Sequence, residues 1–306
     1  MSPLQQDRWK DQLLAEILRA ISSHPPLRRE LVFKGARILA LHLGSPRQSL
    51  DIDANLRLEF QRSMPDRSQQ AAWFEAQLTT ALRNHFESQE PVRYELGSVK
   101  IEKRPADERH PRGWDGFRAK IQVTDQKFRG IRPLPTLELD LAVPEELGPD
   151  AVCELPLDGV SVQAYALHRI AGEKLRAFLS SLPAYRAKMR SPLREVRAKD
   201  LHDLALILDT RPIEDRDFWL RAAHEFRLAC ASRLVDCQGP ESFHEAWDST
   251  RKVYETEATL AAVPWSAAEQ ALGAILGFFS RSSVFPLSFP LEDSDVAPPD
   301  TAASAT

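Results

Sequence analysis

The stretch Leu31–Asn55, LVFKGARILALHLGSPRQSLDIDAN, limits what this chain can fold into more than any other. Its apolar triplet Leu31-Val32-Phe33 reads as a short strand that breaks at Lys34-Gly35. A compact helix over Ala36–Leu43 follows, then a polar loop over Gly44–Ser49 and a second strand carrying Asp51-Ile52-Asp53. Strand side chains alternate, so Asp51 and Asp53 project together and Ile52 points into the core. Two carboxylates ordered on one face repel and call for a compensating cation. Mg²⁺ (or Mn²⁺) suits them, since it takes carboxylate oxygens and shares its shell with substrate phosphates. Gly35 permits close backbone approach, and the helix after it aims its first amides at any nearby anion. An isolated Asp-x-Asp also fits a solvated strand end. An anion seat followed by metal-binding acids suits a nucleoside triphosphate with its metal.

A chain of 306 residues can bury a substantial core in one large domain or two smaller ones. Its 43% hydrophobic and 27% charged residues are those of an ordinary water-soluble protein. No apolar run is long enough to span a bilayer, and MSPLQQDRWKDQ lacks the apolar segment of a signal peptide. Cys153, Cys230 and Cys237 show neither a disulfide framework nor zinc spacing, so a reducing cytoplasm is the expected home. A net charge of −4 argues against a protein that coats nucleic acid indiscriminately. Two basic stretches are local exceptions. Lys100–Arg132 interleaves cations with Trp114, Phe117 and Phe128, and Arg186–Lys199 is almost wholly basic among its charges. Such patches suit a phosphate backbone with stacked bases, or are solvated surface.

Helical spacing of Trp9, Leu13, Leu14, Ile17, Leu18 and Ile21 predicts an amphipathic helix over Gln5–Ser22, ended by His24-Pro25-Pro26. A second helix is predicted over Ser68–Phe86, then extended runs over Val92–Glu102, Gly116–Thr124 and Thr136–Val143. From Ser161 onward the pattern reads as almost pure helix, beginning with Val162–Leu182. A boundary is therefore expected near Pro149–Val160. The Pro-rich end beyond Arg281 reads as disordered.

Three further strings carry candidate chemistry. Thr136–Val143 alternates cleanly, with Glu138 and Asp140 on one face and Leu137, Leu139 and Leu141 on the other. Lys174 lies on a helix whose apolar face holds Ile170, Leu175, Phe178 and Leu179. Asp200 and Asp203, three apart, share a helix face and could anchor Lys174 or Arg176, orient an acceptor hydroxyl, or complement their own helix dipole.

Phe33-Lys34-Gly35 with Arg47-x-Ser49-x-Asp51-Ile52-Asp53 resembles the opening motif of the AbiEii family of nucleotidyltransferase toxins, in the DNA polymerase β-like superfamily. Glu138-Leu139-Asp140, Glu173-Lys174-Leu175-Arg176-Ala177 and Lys199-Asp200-Leu201-His202-Asp203-Leu204 follow in the family's order. The resemblance implies an α+β fold: a small mixed sheet with flanking helices over 1–150, an all-helical unit over 151–282 completing the cleft, and a disordered tail over 283–306. It implies an NTP donor and metal ions on Asp51, Asp53 and Asp140. Lys34, Gly35, Arg37, Arg47, Ser49, Lys174 and Arg176 would hold the phosphates, and Asp200 would support catalysis. An RNA acceptor such as a tRNA end, a cognate antitoxin and a type IV toxin–antitoxin or phage-defence setting are implied with them. Gly172 replaces the usual Ala, and Ala36-Arg37 replaces the usual Gly-Thr/Ser after Gly35. The altered Gly35-Ala36-Arg37 leaves open a catalytically impaired nucleotide- or RNA-binding relative. A small-molecule nucleotidyltransferase is the other alternative, and would show an acidic rim.

Overall fold

The computed structural model describes residues 2–44, 50–106, 112, 114–130, 134–142, 144–191 and 195–291. Helix α1 (Pro3–Ser23) starts at a Ser2–Gln5 capping box and buries the predicted stripe from Trp9 to Ile21. Pro25 both stops it and opens a short second helix, α2 (Pro25–Glu30), because proline fits the first helical turn. Then come β1 (Leu31–Lys34), α3 (Gly35–Leu43), β2 (Ile52–Leu56), α4 (Leu58–Ser63) and α5 (Arg67–Glu87). Strands β3 (Tyr94–Arg104), β4 (Gly116–Asp125), β5 (Leu137–Ala142), β6 (Val152–Leu157) and β7 (Val160–Tyr165) complete the sheet. The remaining helices are α6 (Leu167–Leu179), α7 (Pro183–Lys188), α8 (Lys199–Thr210), α9 (Arg216–Arg233), α10 (Trp247–Thr256) and α11 (Trp265–Arg281).

Among the described residues one seven-stranded mixed sheet runs in the order β3-β4-β5-β2-β1-β7-β6. Strands β2 and β5 are parallel neighbours at its centre, and β1 runs antiparallel to β2. Leu137, Leu139 and Leu141 face the helix layer: Phe117, in register with Leu141, meets Phe74 of α5 at 5.8 Å between ring centroids. Burying such side chains contributes about 1.5–3 kcal/mol each, which fixes the register of β5 and sends Asp140 to the opposite face.

Two sequence expectations fail here. Residues 160–165 form a strand, not the start of a helix, so the sheet continues past the expected boundary and the helical region begins at Leu167. Asp158 and Gly159 both adopt positive φ (43° and 85°) and turn β6 back onto β7. An Asp-Gly pair between alternating runs is a hairpin signal. Strand β7 then pairs with β1 through Phe33 and Ala164. The expected tail also starts too early: Val284 and Leu287 are buried, and Leu287 exchanges backbone hydrogen bonds with Cys237. Residues 292–306 lie outside the described residues.

Gly172 has a packing reason. A β-carbon there would stand 2.6 Å from the Phe226 backbone nitrogen and 2.9 Å from the Ala222 carbonyl oxygen, both on α9. Only glycine lets α6 and α9 cross this closely.

Candidate active site

Strand register builds the first wall. Lys34 of β1 pairs with Asp53 of β2, Asp53 with Asp140 of β5, and Asp140 with Arg118 of β4. In-register residues on neighbouring strands share a face, so these four side chains form one row: cation, acid, acid, cation. Arg118 grips Asp140 with Nε at 2.8 Å from Oδ1 and Nη2 at 3.2 Å from Oδ2. Asp51 lies just before β2, and Ile52 between the two acids is buried as the alternation requires. Gly35, at φ +82°, opens α3, and a β-carbon on it would overlap Asp53 Oδ2. Glycine is thus required twice, for its backbone and for the carboxylate beside it.

Helix α6 supplies the second wall. Glu173, Lys174 and Arg176 face Lys34, Gly35, Asp51, Asp53 and Asp140 across a cleft of about 460 Å³. Arg186, Arg197 and Lys199 continue this wall. Lys34 Nζ donates to Glu173 Oε1 at 3.0 Å, and Arg176 Nη2 approaches the same oxygen at 3.5 Å. Lys174 Nζ donates to Asp200 Oδ1 at 3.0 Å and to Asp203 Oδ2 at 2.6 Å. Arg197 Nε donates to Asp200 Oδ2 at 2.6 Å. Both α8 acids are buried, and Asp200 does not line the cleft; it holds Lys174 and Arg197, which do.

The electrostatics follow from this crowding. Burial, then the Asp51 charge, push the Asp53 carboxyl up to about 6; Lys34 opposes that rise and Asp140 adds to it. Burial works against the Lys34 ammonium, but Glu173 foremost, with Tyr165, Glu145 and Asp53, keeps it above the usual lysine range. Burial likewise opposes ionisation of Asp200, yet Lys174 and Arg197 hold its carboxyl below the usual range. Lys174 is raised in turn: burial opposes its charge and is outweighed by Asp200 and Asp203.

Most of the residues expected from the sequence come together. Lys34, Gly35, Asp51, Asp53, Asp140, Lys174 and Arg176 line one cleft. Arg37 does not. Its Nη2 donates to Asp11 Oδ1 of α1 at 2.8 Å, because two residues beyond Gly35 the helix has turned by about 200°. Arg47 and Ser49 lie outside the described residues. Among the described residues no group of three or more His, Cys, Asp or Glu is drawn together closely enough to hold a metal ion. Asp140 is instead engaged by Arg118. Sequence reasoning missed Glu173, Arg118 and a role for Arg197. Arg118 becomes visible only once β4 is registered against β5, whereas Glu173 stood beside Lys174 as an acid within a basic string.

The mixed sheet thus presents carboxylates from adjacent strands to a cationic helical wall. The family model described as nucleotidyl transferase AbiEii toxin, type IV TA system, matches residues 16–272, and the chain belongs to that family. The fold is similar to the crystal structure of a candidate nucleotidyltransferase from H. pylori (16% identity, TM-score 0.51), covering 92% of this chain and 98% of that one. It is equally similar to JHP933 from Helicobacter pylori (16% identity, TM-score 0.51), covering 92% of this chain and 95% of that one. No protein of curated function matches the sequence. Among the described residues no helix is long and apolar enough to cross a membrane.

Proposed function

We propose that this cleft transfers a nucleoside monophosphate from an NTP to an acceptor hydroxyl. The observation that carries the reading is the row Lys34–Asp53–Asp140 across three adjacent strands, set opposite Lys174 and Arg176. The donor set fits a hard divalent cation: Asp51 and Asp53 offer carboxylate oxygens, and the Asp53 carboxyl is raised partly by an Asp51 charge that such a cation would offset. When bound, Mg²⁺ or Mn²⁺ supplies neutralisation of phosphate charge and acidification of the acceptor hydroxyl. The chain's own groups do the rest. Lys34 and the α3 N-terminus seat the triphosphate, Gly35 leaves room for it, and Lys174 and Arg176 stabilise charge on the departing pyrophosphate. Asp140 accepts the proton of the acceptor hydroxyl as its oxygen attacks the α-phosphorus in line. Asp200 is a positioning residue that aims Lys174.

Arg186, Arg197 and Lys199 make the far wall basic rather than acidic. That favours a polyanionic acceptor such as an RNA end, a tRNA included, over an aminoglycoside-like cation. Gly35-Ala36-Arg37 motivates the impaired-relative alternative; the pairing of Arg37 with Asp11 counts against its Arg37 part. As a family of type IV toxins implies, a cognate antitoxin would be a partner.

The test is incubation with each α-labelled NTP, Mg²⁺ and total RNA. Asp53→Asn and Asp51→Asn should abolish label transfer while keeping the wild-type circular dichroism spectrum. Transfer retained by either variant would overturn the assignment.

A further inference from the structure

Glu173 has no part in the chemistry above, yet it sits among the groups proposed to hold phosphate. Its Oε1 takes Lys34 at 3.0 Å and Arg176 at 3.5 Å, and all three side chains line the cleft. One oxygen gripped by a lysine and an arginine is how a phosphate oxygen is held. Ordinary structural pairing is done one layer behind. Arg169, one turn earlier on α6, is fully buried between Glu145 (2.7 Å) and Glu225 (3.1 Å), and none of these three lines the cleft. Burial and the Glu145 charge work against a charged Glu173, but Lys34 first, then Arg176 and Arg169, outweigh them and keep the carboxyl below its usual range.

We propose that Glu173 is a resident stand-in for phosphate: it occupies Lys34 and Arg176 in the empty cleft, yields them to the polyphosphate, and reclaims them as pyrophosphate leaves. This rests on the triphosphate seat proposed above. A single carboxylate competes well with a monophosphate and poorly with a triphosphate, which carries several charges along its length. Glu173 therefore sets a threshold for occupancy and weakens retention of the product. It is a specificity-determining residue, distinct from the acids of the sheet.

The test is titration calorimetry of the full chain with pyrophosphate in EDTA, so that neither turnover nor metal enters. Glu173→Gln keeps the shape and removes the charge. It should bind pyrophosphate about tenfold more tightly than wild type, the size expected of a freed charge-assisted contact. The gain should vanish in Lys34→Gln/Glu173→Gln. Glu173→Asp, with its carboxylate withdrawn by one methylene, should fall between and serves if Glu173→Gln does not fold. Equal or weaker binding by a folded Glu173→Gln, no binding by either protein, or Glu173→Asp indistinguishable from wild type would overturn the proposal. Label transfer is measured separately. A tighter-binding variant of a chain that transfers nothing would reject the transferase reading and keep this one.

Discussion

Gly35 and Asp53 share a single space: Gly35 holds φ at +82°, and any β-carbon on it would overlap the Oδ2 of Asp53. The residues lie on adjoining elements, so the turn that ends β1 also fixes a carboxylate of β2. Gly35→Ala should cost about 1–2 kcal/mol for the left-handed backbone alone. It must also push Asp53 aside, and a shift of about 1 Å in a reacting array lowers rates by about a hundredfold. Label transfer should fall by at least that factor while thermal melting records only the modest backbone cost. A near-wild-type rate would remove Asp53 from the chemistry.

Asp53 should also reveal itself through stability. Its carboxyl is raised from 3.8 to about 6 by burial and then by Asp51. A folded pKa above the unfolded one means the native state binds the proton better. Stability therefore falls as pH rises from about 4 to about 6, and the penalty persists above that. Asp53→Asn removes the charge, so in EDTA it should be more stable than wild type at pH 8 by about 3 kcal/mol and little different at pH 4. Urea unfolding at the two pH values reads this directly. Added Mg²⁺ should narrow the gap at pH 8 by stabilising the wild type alone. A variant less stable at pH 8 would make Asp53 a structural acid.

Gly172 sets propensity against packing. In an isolated helix, Gly→Ala gains about 1 kcal/mol. Here the added methyl would press on the α9 backbone at Phe226 and Ala222, and backbone yields less readily than a side chain. Overpacking of this kind costs about 1–3 kcal/mol, so Gly172→Ala should lower the urea midpoint despite its better helix former. A raised midpoint would show that α6 and α9 separate freely.

What could be read from the sequence was what local periodicity encodes. Asp51-Ile52-Asp53 and Glu138-Leu139-Asp140 were legible because a strand alternates every two residues, and burial of Ile52 and Leu139 fixes which side the acids take. Lys174 and Asp200 were legible as helix positions, and through the family's motif order. Partners distant in sequence were not. The Lys34–Glu173 pair spans 139 positions and depends on α6 lying across the cleft from the end of β1. Arg37 went astray because its distance along the chain from Gly35 was small while its rotation around α3 was large. The β6–β7 hairpin was missed for a different reason: the whole stretch Pro149–Val160 was read as a boundary, although the Asp158-Gly159 pair within it, flanked by alternation, marks a turn.

Lys174 shows how the helical half controls a group in the cleft. Its ammonium is shared by Asp200 at 3.0 Å and Asp203 at 2.6 Å, and Asp200 also receives Arg197. Asp200→Asn leaves two cations with one carboxylate, and breaking a buried pair from one side costs about 3–5 kcal/mol. The sign of its pH dependence follows from a folded pKa below the unfolded 3.8. The contribution is complete above about pH 4 and is lost as pH falls through the folded value. Wild type and Asp200→Asn should therefore differ by a constant amount between pH 5 and pH 8, as read by urea unfolding. The two curves should converge below pH 4, as the wild type loses what the variant never had. Parallel curves down to pH 3 would mean that Asp200 titrates alike in the folded and unfolded chain, so that Lys174 and Arg197 do not stabilise its charge.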